Sequence, residues 1–336
     1  MELATVQRVE PEGSVQRLFD LSAADMAGVD ALIHARLQSE VPLIPALGDH
    51  LVEAGGKRLR PLLTVAAARL CGTTNDAHRN LAAAVEFIHT ATLLHDDVVD
   101  GSQLRRGKVA AHLIWGGSAS VLVGDFLFAR AFELMVETGS LKALDILARA
   151  SRVIAEGEVL QLTRAHDLQL DQATYLEIIR GKTAELFAAA AESGAVVSGA
   201  SDAQVAALAD YGLKLGLAFQ LADDALDYGG ASETLGKNAG DDFREGKVTL
   251  PLLLAIQRSG AAETAFWERT VGQREQSDAD FRRARELILS TGGLAATLAL
   301  AHEYADEAKV ALKGFPKNEW RASLEALADF AVDRLA

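Results

Sequence analysis

The sequence is poor in cysteine, proline, positive charge and long apolar runs. Its single cysteine, Cys71, cannot form a disulfide within the chain, which is typical of proteins from a reducing compartment. Lys and Arg together number 33 against 47 Asp and Glu, and the net charge of −14 disfavours nucleic acid as a partner, because nucleic acid attracts cations. No apolar run approaches the ~20 residues of a membrane-spanning helix, and residues 1–20 lack the apolar core of a secretory signal. These absences predict a cytoplasmic protein without a membrane span.

Six prolines in 336 residues, abundant Ala and Leu, and few alternating β-branched runs predict an all-α protein. Hydrophobic residues make up 49% of the chain, which is enough for a sizeable core. The sequence has no strand–helix alternation, no repeat of fixed period and no proline-rich linker, so residues 1–336 are predicted to form one domain. The predicted helices span residues 22–38, 42–54, 61–70, 76–100, 118–138, 141–164, 171–192, 202–228, 249–258, 278–290, 294–312 and 318–335.

Two of these helices end in aspartate-rich runs. The helix 76–100 is apolar on nearly every side and ends in DDVVD at 96–100, and the helix 202–228 ends in DDALD at 223–227. A helix without a polar face belongs at the centre of a bundle, where an uncompensated carboxylate is costly. A solvated acidic surface would explain one such run, but it explains poorly two runs at the ends of apolar helices. The runs therefore indicate a functional site.

Within each run the first and fifth residues share one helix face. Successive helical residues advance by ~100°, which pairs Asp96 with Asp100 and Asp223 with Asp227. Like charges at this spacing destabilise an isolated helix, so the pairs need a compensating cation. Two facing carboxylate pairs suit Mg²⁺, which binds one or two carboxylates together with waters and phosphate oxygens. The spacing thus predicts a magnesium site that holds a phosphate or diphosphate.

Basic residues that could bind such an anion occur in three places. The run GGKRLRP at 55–61 places cations at a turn before a helix start, where backbone N–H groups attract anions. The run RRGK at 105–108 follows the first aspartate run by a few residues. Lys182, Lys237 and Lys247 complete the set. A single cluster could be a solvated surface, but three beside two acidic runs favour an anion site.

His89 lies two helical turns before Asp96 and shares its face. It is therefore either an ordinary core histidine or a ligand contact, whereas His95 points to another flank and is interpreted as structural. Glu86 and His89 also have the Glu-x-x-His spacing of di-iron carboxylate bundles. Such a bundle needs a second pair of this kind, which the sequence lacks.

The sequence resembles the trans-polyprenyl diphosphate synthases, and most nearly the long-chain octaprenyl, solanesyl and decaprenyl type. The resemblance covers about residues 41–251 in family order and spacing, which makes it highly specific. The motifs that carry it are GGKRLRP at 55–61, LLHDDVVD ending at Asp100, LRRGK at 104–108, GKTAELF from Gly181, FQLADDALDY ending at Tyr228, and GKNAGDDFREGKVTLP from Gly236.

The resemblance implies a single helical bundle of the isoprenoid synthase type around a central cavity. It also implies a homodimer, with residues 1–40 at the dimer interface or at the surface. The implied reaction condenses an allylic diphosphate, such as farnesyl diphosphate, with successive isopentenyl diphosphates to give a long all-trans chain for quinone side chains. The implied cofactor is Mg²⁺, with two or three ions in each active site.

The same resemblance assigns roles to individual residues. The implied metal ligands are Asp96, Asp100 and Asp223, supported by Asp97, Asp224 and Asp227. The residues implied to hold the allylic diphosphate are Arg105, Lys182 and Lys237. Those implied to hold isopentenyl diphosphate are Lys57, Arg60, His89 and Arg106. Those implied at the reacting centre are Lys182, Thr183 and Gln220.

Product length is predicted from the residues before the first aspartate run. In the family, bulky side chains four and five positions before that run stop the growing chain early. Thr92 and Ala91 occupy these positions and are small, which predicts a long product of the octaprenyl to decaprenyl class. The chain would then stop deeper, at Phe128 or Phe132, although each of these is alternatively an ordinary core residue.

Three related interpretations remain open. The chain could be a shorter-chain synthase of the geranylgeranyl type. It could be a class I terpene cyclase, although the second metal motif of those enzymes usually mixes Asn or Asp with Ser or Thr and Glu, unlike DDALD. It could also be an inactive regulatory subunit, which two intact aspartate runs disfavour. A phosphate-loop nucleotide hydrolase is excluded because the glycine-to-lysine spacing at 101–108 is wrong.

Overall fold

The structure, a computed structural model, describes residues 14–53, 56, 58–229 and 240–333. Within these ranges it is helical apart from a hairpin of two short strands, which confirms the all-α prediction. The hairpin pairs β1 (Leu104–Arg105) with β2 (Lys108–Val109) in antiparallel register. The helices are α1 (Ser14–Leu37), α2 (Leu43–Glu53), α3 (Leu59–Leu70), α4 (Ala77–Asp100), α5 (Ala111–Trp115), α6 (Gly117–Glu137), α7 (Leu141–Thr163), α8 (Gln172–Ile179), α9 (Glu185–Val197), α10 (Asp202–Gly229), α11 (Asp241–Glu245), α12 (Leu250–Arg258), α13 (Ala261–Trp267), α14 (Asp278–Ser290), α15 (Gly293–Ala311) and α16 (Glu319–Asp333).

Helices α4 and α10 form the centre of the bundle and end in the two aspartate runs. Helix α4 packs against α6, α3, α9 and α1, and α10 packs against α9 and α15. One cluster of buried hydrophobic residues extends from Leu18 in α1 to Val332 in α16. The packing of α9 against both central helices therefore fixes the position of one acidic run relative to the other.

The first helix begins at Ser14, eight residues before the predicted start at residue 22. Ser22 belongs to the residue types that favour a helix start, but its side chain is fully buried within α1. Val15 and Leu18, which precede it, are also buried, and α1 packs against α16. Burial against a distant helix therefore extends α1 beyond its local start signal.

Three short helices, α5, α11 and α13, are missing from the predicted set because a helix of seven residues or fewer shows no full period of apolar positions. The predicted helix at 171–192 is interrupted. A π-helical turn at Arg180–Ala184 separates α8 from α9. Such turns depend on local packing that a helical periodicity does not reveal.

An ionic cluster attaches α1 to the rest of the bundle. Asp25 of α1 is 3% exposed and accepts hydrogen bonds from Arg69 Nε and Nη2 at 2.7 and 2.8 Å. Arg79 Nε donates to the same carboxylate at 3.0 Å, and His78 Nε2 lies 3.1 Å from it. Burial alone would raise the pKa of Asp25, but the hydrogen bonds from Arg69, His78 and Arg79 outweigh burial and hold that pKa well below its usual 3.8.

Among the described helices, α10 alone is long and apolar enough to cross a membrane by length and composition. In the protein, 56% of its most apolar 18-residue window is buried. A core helix passes the same test, and α10 packs along α9 and α15 in the interior of the bundle.

Candidate active site

Lys182 and Thr183 lie on the π-helical turn at Arg180–Ala184, which is clasped between α7 and α10. Glycines on both helices permit the close approach. A Cβ atom on Gly157 of α7 would lie 2.7 Å from the backbone nitrogen of Lys182, and one on Gly216 of α10 would lie 2.5 Å from the Cα of the last residue of the turn. The packing of the turn between α7 and α10 fixes the positions of Lys182 and Thr183. Such π-helical turns recur at functional sites.

Lys182 connects the first aspartate run to a carboxylate on α7. Its Nζ lies 3.7 Å from Asp96 Oδ2 and donates a hydrogen bond to Glu158 Oε2 at 2.8 Å. Burial raises the pKa of Asp96, and the neighbouring Asp100 adds to the effect, although Lys182 opposes it. Burial likewise raises the pKa of Glu158. Asp96 and Glu158 are thus two largely buried carboxylates that share the ammonium group of Lys182.

The sequence prediction did not include Glu158. It is 24 positions from Lys182 along the chain and has no periodic relation to the aspartate runs. The available signal was Gly157, since a glycine inside a helix often marks a close approach of another segment.

Asp97 is buried and engaged by the hairpin. Arg105 Nε, on β1, donates a hydrogen bond to Asp97 Oδ1 at 2.9 Å, and Arg105 Nη2 contacts the same oxygen. The ion pair attaches the hairpin to the end of α4. Asp97 therefore positions Arg105, whereas its predicted support of the metal ligands stays a prediction.

Asp100 is paired with a lysine from the far side of the site. Lys247 Nζ donates a hydrogen bond to Asp100 Oδ2 at 2.7 Å and lies 2.6 Å from Glu245 Oε2. Burial alone would lower the pKa of Lys247, but Asp100 and Glu245 outweigh burial and raise it. Lys247 was noted among the basic residues, but it had no assigned role. The structure shows that it links the C-terminal end of α4 to the segment after α11.

The second aspartate run begins a chain of buried hydrogen bonds. Thr183 Oγ1 donates to Gln220 Oε1 at 2.8 Å, and Gln220 Nε2 donates to Asp224 Oδ1 at 2.7 Å. The hydroxyl of Tyr175 donates to the other oxygen of Asp224 at 2.5 Å. Burial, with Asp242 nearby, raises the pKa of Asp224 well above its usual value. Asp224 thus orients Gln220 and, through it, Thr183, two of the three residues predicted at the reacting centre.

The side chain of Asp227 binds backbone amides at the start of α11. Its carboxylate accepts hydrogen bonds from the amides of Gly240 and Asp241 at 3.1 and 3.2 Å, and from the amide of Asp242 at 3.2 Å. Burial and the nearby Asp242 raise the pKa of Asp227 to about 7. The carboxylate therefore holds the segment that follows residues 230–239. Lys237, predicted to bind diphosphate, lies outside the described residues.

A second cationic group gathers around His89. Arg60 Nη1 lies 3.1 Å from His89 Nε2, and the Arg60 guanidinium stacks 4.5 Å from the centre of the Phe187 ring. Because arginine can only donate, His89 Nε2 accepts this hydrogen bond. Burial and the neighbouring arginines lower the pKa of His89 well below its usual value, which keeps the ring neutral. Arg60 and His89 are thus brought together, as predicted for one substrate pocket.

Arg60 also links the two halves of the site. Burial lowers the pKa of Arg60 to about 10, and Glu86 and Asp223 act against this shift. Asp223, a predicted metal ligand, is therefore close enough to interact electrostatically with the arginine of the neighbouring pocket. Lys57, also predicted in this pocket, lies outside the described residues.

The residues predicted to govern product length lie along α4 and α6. Ala91 is fully buried, and Thr92 donates a side-chain hydrogen bond to the carbonyl of His89 at 2.8 Å. Both side chains are small. On α6, Phe128 stacks on His95 with ring centres 6.1 Å apart, whereas Phe132 is 44% exposed on the outer surface.

The residues described in the structure contain no cluster of three or more His, Cys, Asp or Glu side chains that forms a metal cage by itself. The predicted ligands instead come from separate helices, with Asp96 and Asp100 on α4 and Asp223 on α10.

The fold and the two acidic helix ends define an all-α synthase of prenyl diphosphates. Residues 41–288 match the polyprenyl synthetase family, and the chain belongs to this family of prenyltransferases. It is 47% identical to octaprenyl diphosphate synthase of Escherichia coli (strain K12) over 96% of this chain and 99% of that protein. It is 40% identical to the geranyl-diphosphate-specific all-trans-nonaprenyl-diphosphate synthase of Rhodobacter capsulatus, over 93% and 96% of the two chains.

Solved structures show the same similarity. A polyprenyl synthase from Caulobacter crescentus CB15, complexed with calcium and isoprenyl diphosphate, is 75% identical with a TM-score of 0.94, over 97% of this chain and 100% of that one. A decaprenyl diphosphate synthase from Rhodobacter capsulatus is 53% identical with a TM-score of 0.92, over 96% and 99% of the chains. The predicted family and the isoprenoid synthase fold are thereby confirmed.

Proposed function

We propose that this protein condenses an allylic diphosphate, such as farnesyl diphosphate, with successive isopentenyl diphosphates to make a long all-trans polyprenyl diphosphate. The observation that carries the proposal is the juxtaposition of two acidic helix ends with two separate cationic groups. Arg105 and Lys182 accompany the first aspartate run, and Arg60 and Arg106, beside the neutral His89, form the other group. Two cationic groups suit two diphosphate substrates, and the long-chain relatives support a long product.

The family implies Mg²⁺, and the donor set fits this ion. Asp96, Asp100 and Asp223 would hold it, since hard carboxylate oxygens and substrate phosphate oxygens are its usual ligands. Burial and the neighbouring Asp100 raise the pKa of Asp96, so a bound cation would stabilise its charged form. The similar Caulobacter enzyme contains calcium, another hard divalent cation, together with isoprenyl diphosphate. Two or three bound Mg²⁺ ions would neutralise charge on the leaving diphosphate.

The protein's own cations stabilise the leaving group. As the allylic C–O bond breaks, negative charge grows on the diphosphate. Arg105 and Lys182 are placed to stabilise that charge. The isopentenyl double bond forms the new C–C bond, and the proton then lost from the adjacent carbon goes to the released diphosphate.

Other residues position isopentenyl diphosphate and surround the allylic cation. Arg60, His89 and Arg106 hold the isopentenyl diphosphate so that its double bond lies in near-attack geometry, a role that Lys57 shares. Thr183 and Gln220 present oxygen dipoles that the buried Asp224 holds in place. The apolar interior excludes the water that would otherwise capture the allylic cation.

The proposed product is of the octaprenyl to decaprenyl class, because Ala91 and Thr92 are small at the two positions where bulky side chains are expected to stop the chain early. The proposed assembly is a homodimer of single-domain subunits that works in the cytoplasm. An apolar face supports it, since the outer side of α6 exposes Val121, Leu122, Phe132 and Val136 to solvent, and contiguous exposed apolar side chains mark interaction surfaces.

Incubation of the purified chain with farnesyl diphosphate, isopentenyl diphosphate and Mg²⁺, followed by mass spectrometry of the products, tests the proposal. We expect long polyprenyl diphosphates, formed only when isopentenyl diphosphate is present. Asp96→Asn should lower kcat by ~100-fold or more, since it removes a proposed metal ligand. Glu156→Gln, at an exposed site on α7, is the matched control and should leave the rate unchanged. A cyclic product made from the allylic substrate alone would overturn the assignment.

A further inference from the structure

Glu86 is a carboxylate that the proposed reaction does not use. It lies on α4 three residues before His89, which places the two side chains on neighbouring positions of one helix face. Its surroundings are strongly cationic. Glu86 lines a cleft together with Arg58, Arg105 and Arg106, and the same cleft is bounded by apolar side chains of α1, α2 and α6.

Glu86 is the negative group that three arginines share. Burial raises the pKa of Glu86, while Arg58, Arg106 and Arg60 act against that shift. The effect is reciprocal, because Glu86 opposes the lowering of the pKa that burial imposes on Arg60 and on Arg106. Arg60 and Arg106 disfavour each other's charged forms. Without a shared anion, like-charged guanidinium groups in this cleft repel one another.

The arginines are also tied to neighbouring elements on their outer sides. Arg58 forms an ion pair with Asp30 of α1, and Arg60 stacks on Phe187 of α9. The Nε atom of Arg60 is buried and has no hydrogen-bond partner among the described residues. A buried donor without a partner indicates a bound group beside Arg60 and His89. Arg58 and Arg106 therefore line the cleft together with Glu86, and Arg60 interacts electrostatically with Glu86 from the adjacent pocket of His89.

We propose that Glu86 is a positioning residue, whose carboxylate gathers Arg58, Arg60 and Arg106 so that their outward N–H groups face one diphosphate, that of isopentenyl diphosphate. This inference rests on the proposed function and adds two residues, Glu86 and Arg58, to that pocket. The cluster carries three positive charges and one negative charge, so it still attracts a diphosphate. The negative charge limits the mutual repulsion that would otherwise spread the guanidinium groups apart.

Substitution of Glu86 distinguishes this role from simple electrostatics. If Glu86 acted only as a negative charge near the substrate, Glu86→Gln would remove a repulsion and lower the KM for isopentenyl diphosphate. If Glu86 positions the arginines, Glu86→Gln should raise that KM by roughly tenfold or more, because removal of one partner from a buried group of charges is strongly unfavourable. The KM for the allylic diphosphate, held by Arg105 and Lys182, should change less than threefold.

The measurements are steady-state kinetics with each substrate varied, and isothermal titration calorimetry with isopentenyl diphosphate. Glu86→Asp should recover part of the affinity, because it restores the charge at a shorter reach. Glu192→Gln, a partly buried glutamate paired with Arg149 on the far helices, is the matched control and should leave both KM values unchanged. Thermal unfolding of Glu86→Gln checks that the variant is folded.

Each outcome has a distinct meaning. An unchanged or lowered KM for isopentenyl diphosphate in folded Glu86→Gln would overturn the positioning role, even if the wild-type protein is an active synthase. An equal rise in both KM values would also overturn it, because a general distortion does not discriminate between the substrates. A wild-type chain that makes no condensation product would instead remove the proposed function itself.

Discussion

Substitution of Asp25 by Asn tests whether the ionic cluster on α1 stabilises the fold. The change keeps the shape of the side chain but removes the charge that Arg69, Arg79 and His78 share. Removal of one partner from a buried ion pair costs ~3–5 kcal/mol. Because the side chains of Arg69 and Arg79 are about one-third exposed and can regain water, we expect the lower end of this range, ~3 kcal/mol.

This loss converts into a measurable change in Tm. The entropy of unfolding is ~2.1 cal/mol/K per residue, or about 0.7 kcal/mol/K for 336 residues, so a loss of ~3 kcal/mol lowers Tm by about 4 °C. Differential scanning calorimetry at pH 7 measures it. The exposed pair Arg152–Glu156 provides the control, since Glu156→Gln should change Tm by less than about 1 °C. A Tm for Asp25→Asn within 1 °C of the wild type would refute the reasoning.

The dependence on pH gives the same prediction a second test. The pKa of Asp25 in the folded protein lies below its usual 3.8, so its contribution to stability is complete above that value and is lost as the pH falls below it. The Tm difference between the wild type and Asp25→Asn should therefore be constant from pH 5 to 7 and shrink below pH 3.8. A difference that grows on acidification would contradict the assigned role.

Three further predictions concern product length, the π-helical turn and assembly. Ala91→Phe should shorten the polyprenyl product measured by mass spectrometry, because it places a bulky ring at one of the two positions predicted to stop chain growth; an unchanged length would remove this argument. Gly157→Ala should lower kcat by about a hundred-fold, since its Cβ would lie 2.7 Å from the Lys182 nitrogen and displace the turn, whereas Gly117→Ala, whose Cβ meets only an ordinary contact at 3.4 Å, should retain activity. Leu122→Asp should yield monomers in analytical ultracentrifugation at concentrations where the wild type is dimeric, because a carboxylate would be buried in the proposed interface; a wild-type chain that is monomeric would overturn the proposed dimer.

The sequence was sufficient to predict the central features of the fold because they depend on local periodicity. The apolar character of α4 predicted its central position, and the i, i+4 spacing predicted which aspartates share a face. Both depend only on the geometry of a single helix. The motif order then predicted the family, which the relatives confirm.

The remaining features depend on contacts between distant segments. The interruption of the helix at 180–184 follows from the close approach of α7 and α10, and the early start of α1 follows from burial against α16. Glu158 and Lys247 enter the site through ion pairs with residues 24 and 147 positions away. No local pattern encodes such partners, so the sequence alone could not predict them.

Helix α6 has consequences for how assembly and catalysis relate. One side of this helix packs tightly on α4, where Gly124 abuts His95 and Phe128 stacks on it, while the other side forms the exposed apolar face. A helix with its side chains is only about 10 Å wide, and close-packed interiors transmit strain rather than absorb it. A partner bound to the outer side of α6 would therefore be separated from α4, which bears the first acidic run, by α6 alone. In such an arrangement, a substitution that disrupts subunit association at α6 should also lower the rate of turnover.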